Sequence, residues 1–144
     1  MSEPEVDALV AEGVLVRAPL DRKAAERELS TARMHLVGAE AAASVDPTGS
    51  FVLAYDAARK AVVAHMRARG VRVRSRFGAH QQTSRYATAV LTGRGVDEHV
   101  VAFVDMREVR NDTEYEGEMV AASDSAEALS HARAIVAAVE ADLG

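Results

Sequence analysis

The residues best placed to do chemistry lie in one short run, Arg107, Arg110, Asn111, Glu114 and Tyr115. They continue the helical stripe begun by Val100, Phe103 and Val104, so a face that ought to be buried turns polar toward its end. Burying guanidinium and amide groups without partners costs several kcal/mol. The run is therefore one of two things. It is a solvated helix end, whose ion pairs contribute about 0.3–0.5 kcal/mol each. Or it is an assembled polar site, of the kind in which arginines recognise phosphate.

Other residues could join such a site. His80 follows Gly78-Ala79 at the start of a predicted helix, where free N–H groups favour an anion; it also reads as a capping or surface histidine. Tyr55, Asp56 and Arg59 fall on one half of a predicted helix, either as a site wall or as an interior Tyr beside a surface ion pair. Arg67, Arg69, Arg72, Arg74 and Arg76 form the densest basic stretch, able to hold RNA phosphates or simply to pair with acidic helices. His35, His65, His99 and His131 show no metal-ligand spacing, and there is no Cys, so neither a disulfide nor a thiolate metal site can form. No metal and no cofactor is expected. Glycine-rich phosphate loops, a nucleophile elbow and a His-Glu-x-x-His helix are all missing.

The elements that must position these residues are helices. A short helix, 5–12, ends at Gly13 and is followed by an extended lead-in with Pro19, so residues 1–20 read as a preface to a bundle over 21–144. Asp21 should cap a long helix to about Ser44 that buries Ala24, Ala25, Leu29, Ala32, Leu36 and Ala39. After the break at 45–50, a second long helix runs from about Ser50 to Arg69, burying Phe51, Tyr55, Ala58, Val62 and Met66 and stopping at Gly70. Residues 71–78 alternate apolar and basic for too few positions to make a sheet alone and read as a linker. Helices over about 80–91, from an Asp97 cap to Asn111 or beyond, and from Ser123 or Asp124 to the end complete an all-α, up-and-down bundle of about five helices.

Composition agrees. The 144 residues suit one domain, and an apolar share made mostly of Ala, Val and Leu, without Trp, favours closely packed helices. A net charge of −5 argues against non-specific coating of nucleic acid, although a local basic patch is compatible with it. The basic residues are nearly all Arg, which fits either a GC-rich genome or phosphate recognition. The N-terminus lacks a signal-like pattern and no apolar run nears the roughly 20 residues that span a bilayer, so a cytoplasmic protein with no membrane association is expected.

Three segments in order, Phe51 to Gly70 with Tyr55-Asp56-Ala-Ala-Arg59, then Gly78-Ala79-His80-Gln81, then Arg107-Glu-Val-Arg110-Asn111-Asp-Thr-Glu-Tyr115, resemble the HEPN family of prokaryotic helical bundles over roughly residues 21–140. The resemblance implies a bundle of about five helices, usually dimeric. Many members cleave RNA without metal through an Arg-x4–6-His motif whose Arg and His meet across the dimer cleft; others are non-catalytic partners of nucleotidyltransferases, as in toxin–antitoxin pairs. Carried onto this chain, Arg110 contacts phosphate, Asn111 orients it, and Tyr115 or His80 assists, with Arg107, Tyr55, Arg59, Arg72 and Arg74 lining an RNA or nucleotide site. Tyr115 stands where the RNase motif has His. A phenol with an ordinary pKa near 10 is a poor general base at pH 7, whereas imidazole near 6.5 is a good one. Two expectations follow: an RNA- or nucleotide-binding domain without efficient cleavage, or a non-catalytic dimerisation or protein-interaction module using the same surface.

Overall fold

The computed structural model describes residues 3–75 and 77–144. The chain runs α1 (Glu3–Ala11), β1 (Leu15–Arg17), α2 (Arg22–Ala42), α3 (Pro47–Arg69), β2 (Val71–Val73), α4 (Ala79–Leu91), α5 (Asp97–Tyr115) and α6 (Ala122–Leu143). It is an all-α bundle with one small ribbon.

Two aspartates set the starts of α2 and α3. Asp21 accepts the Ala24 N–H at 2.9 Å and opens α2. Asp46 accepts the Gly49 N–H at 2.9 Å and, with Pro47 in the first turn, starts α3 three residues earlier than the break at 45–50 suggests. Proline fits there because its missing N–H would have had no helical partner. The first turn of α5 works differently: Asp97 is already helical, the preceding Val96 offers no side-chain cap, and the Asp97 carboxylate takes the Gly93 N–H at 2.7 Å.

α3 is the centre of the bundle, packed most extensively by α2 and α6 and touching α4 and α5 as well. It buries Ala54, Ala57, Ala58, Ala61, Ala64 and Ala68. Side chains that small let neighbouring helices approach closely, which accounts for a core with so few aromatic rings. Val6, Leu9 and Leu15 join this same core, so the N-terminal preface is packed against the bundle.

The start of the alternating segment, Val71–Val73, finds its partner far away in sequence. Leu15 pairs with Val73, Val16 with Arg72 and Arg17 with Val71 in an antiparallel ribbon. The extended lead-in thus supplies the second strand that the linker lacks. Gly70 makes the join: it caps α3 in the left-handed conformation (φ +74°), and a Cβ there would lie 3.0 Å from the Ala18 carbonyl oxygen.

Candidate functional site

The polar stripe of α5 does not run into open water. Val100, Phe103 and Met106 are its buried residues, while Val104, expected inside, is partly exposed. At about 100° per residue, positions 107 and 110 fall inside the arc that Val100, Phe103 and Met106 span, whereas Val104 falls outside it; Arg107 and Arg110 therefore stay on the core-facing side and are half-buried. Arg110 comes within 4.0 Å of Asp56 Oδ1 on α3 and 3.5 Å of Glu114. Asp56 Oδ1 is also 3.8 Å from Arg59 Nε.

Above this carboxylate lies a ring stack. Tyr55 sits between Phe103 of α5, with ring centroids 5.5 Å apart, and His80 of α4, at 5.7 Å and nearly parallel. The Tyr55 hydroxyl and His80 Nδ1 are 2.9 Å apart. Burial pushes the Tyr55 phenol up to about 12, even though Arg59, Arg110 and Arg107 pull it down. Burial, reinforced by Arg59, Arg110 and Arg107, holds His80 below its ordinary value. At neutral pH the pair is therefore a protonated phenol and a neutral imidazole.

That pairing fixes the tautomer. A fully buried O–H must donate, and His80 Nδ1 is its only hydrogen-bond partner among the described residues. Nδ1 accepts, so the ring proton sits on Nε2. His80 then offers an N–H donor at the half-exposed edge of the cluster and has no free lone pair with which to act as a base.

The charges of Arg59, Arg107 and Arg110 all act on His80, opposed by Asp56, and the half-exposed Glu114 pairs with Arg110. Arg107 has no carboxylate partner among the described residues. Arg59 Nε, Arg110 Nε and Asp56 Oδ1 are buried atoms without a hydrogen bond. The two Nε groups face the Asp56 carboxylate at 3.8 and 4.0 Å, so it holds both guanidinium groups by charge and not by a hydrogen bond. Among the described residues no three His, Asp or Glu side chains are grouped to hold an ion.

Of the residues singled out by sequence, Tyr55, Arg59, His80, Arg107 and Arg110 come together. Asn111 is half-buried one residue on. Tyr115 is 80% exposed on the last turn of α5; five residues correspond to about 140° of helical rotation, so it points away from Arg110. Arg72 and Arg74 are exposed on and just after β2. Arg76 lies outside the described residues.

A second polar centre has no counterpart in the sequence reading. His65, fully buried on α3, meets Tyr86 at 2.7 Å through Nδ1 and Asp142 at 2.6 Å through Nε2. Arg69, at 3.2 Å, and Arg94 also bind Asp142. Burial holds His65 below its ordinary pKa, so Nε2–H donates to Asp142 while Nδ1 accepts from Tyr86. Burial alone would raise the Asp142 carboxyl, but bonds from His65 and Arg94 hold it below the usual range. This network clasps α3, α4 and α6. The one sequence signal is that His65 follows Val62 in the buried stripe.

Compared with models of known families, with curated proteins and with solved structures, the chain matches none.

Proposed function

We propose that this protein is a HEPN-like helical bundle that binds a phosphate of RNA or of a nucleotide at Arg59, Arg107, Arg110 and His80, without cleaving it efficiently. The observation that carries this reading is a neutral, half-buried histidine, its Nδ1 taken by Tyr55, under the charge of three arginines. Arg110 supplies charge and directed N–H groups, Asp56 holds Arg59 and Arg110 in place, and Asn111 orients the bound group. Binding is favoured over turnover because His80 spends its basic nitrogen on Tyr55 and Tyr115 stands 80% exposed on the last turn of α5.

Binding of labelled single-stranded RNA, followed by fluorescence anisotropy, tests this directly. Arg110→Ala should weaken it by about tenfold to a hundredfold, the loss expected for charge-assisted hydrogen bonds. Equal binding by the variant rejects the site. Incubation with RNA in chelator should give no cleavage above background.

A second reading, a dimerisation or protein-interaction module such as a nucleotidyltransferase partner, is favoured by the exposed Val109, Tyr115 and Met119 around the end of α5. Sedimentation of the wild type and of Tyr115→Ser/Met119→Ser decides it: an assembly lost in the variant supports an interface, and a wild-type monomer unchanged by an added partner candidate counts against it.

A further inference from the structure

Arg59 faces two ways. On one side it reaches Asp56 in the cluster just described; on the other it lines a cleft of about 230 Å³ between α3, α4 and the ribbon. Its lining is apolar at Val63, Met66 and Val73 and carries the three cations Arg59, Arg67 and Arg72. Ala79, the neighbour of His80, borders it too.

Two features say what fits there. Neither Arg67 nor Arg72 has a carboxylate partner among the described residues, in a chain whose acidic residues outnumber its basic ones. The bond of Arg72 is to its neighbour's Val73 carbonyl at 3.2 Å. These are unmatched cations beside an apolar seat. The cleft is smaller than the roughly 300–1,000 Å³ of sites that enclose a whole drug-sized ligand, a size for one flat ring rather than a complete cofactor. Arg59 and Arg67 are rooted about 12 Å apart along α3, close enough for two long side chains to reach neighbouring groups of one strand.

We infer that the cleft is the second subsite of a single-stranded RNA path: a base lies on Val63, Met66 and Val73 against the arginine planes, and the next phosphate binds Arg67 and Arg72. The inference rests on the proposed phosphate site and extends it, with Arg59 bridging the two. Guanidinium planes stack on unpaired bases while their N–H groups hold the backbone, which is how unpaired strands are commonly bound.

Anisotropy titrations with labelled uridine oligonucleotides of increasing length, from a mononucleotide upward, test it on the full chain. The wild type should gain about tenfold or more in affinity between the mononucleotide and a tetranucleotide. Arg67→Ala/Arg72→Ala should bind the mononucleotide as the wild type does yet lose that gain, and its salt dependence on the longest strand should be shallower by about 0.7 in log–log slope, for the one phosphate released. Both side chains are exposed, so circular dichroism should be unchanged. A double variant that keeps the full gain and slope overturns the second subsite and leaves the first standing. A wild type that binds no oligonucleotide, with Arg110→Ala no different, overturns both. Linear polyphosphate of matched charge bound as tightly as RNA overturns the base seat.

Discussion

Among individual residues, Tyr55 decides what His80 can do. Its buried hydroxyl donates to Nδ1 and so leaves the imidazole with Nε2–H as a donor beside the arginine cluster. Tyr55→Phe keeps the stack on Phe103 and removes only that bond. It should cost about 1 kcal/mol in denaturant unfolding, and RNA affinity should fall because the ring is no longer held in one tautomer. An unchanged affinity would show that the tautomer does not matter. How legible these residues are from sequence differs for physical reasons. Arg107 and Arg110 stand out because charge interrupts an apolar stripe, a local signal. The partnership of Tyr55 with His80 spans 25 residues and depends on how α4 lies across α3, which no local pattern encodes. The separation of Tyr115 from Arg110 follows from helical geometry alone once the helix is known to continue through Tyr115.

The helices are legible because their caps and stripes are strong: Asp21 and the alanine pattern of α2 read directly. The ribbon is not, since β1 and β2 are too short to declare themselves and each exists only because the other is present. Gly70 carries the turn that brings them together. Gly70→Ala combines a left-handed φ with a Cβ 3.0 Å from the Ala18 carbonyl oxygen, and should destabilise by about 1–2 kcal/mol or more. If the ribbon shapes the second subsite, the same variant should also blunt the gain of affinity with RNA length. A Gly70→Ala protein as stable as the wild type would contradict this description of the join.

At the level of the whole molecule, the His65 network makes the bundle acid-sensitive. His65 and His80 are both held below their ordinary pKa in the fold, so between the folded values and about 6.5 the unfolded chain binds more protons than the folded one. Their contribution is complete above about pH 6.5 and is lost as pH falls through the folded values; Asp142, also depressed, loses its share at still lower pH. Thermal unfolding should therefore show a falling midpoint below about pH 6.5. His65→Ala should flatten that slope while costing roughly 2–4 kcal/mol at pH 7 through a cavity and broken bonds. A slope unchanged by His65→Ala would place the acid sensitivity elsewhere. No helix among the described residues is long and apolar enough to cross a membrane. The outward-facing chemistry is thus concentrated where α3, α4 and α5 meet, and the claim that this junction reads phosphate is tested most directly by one comparison: the dissociation constant of a short single-stranded RNA for the wild type and for Arg110→Ala at fixed salt. The account predicts saturable wild-type binding that weakens by about tenfold to a hundredfold in the variant; identical constants for the two proteins would contradict it.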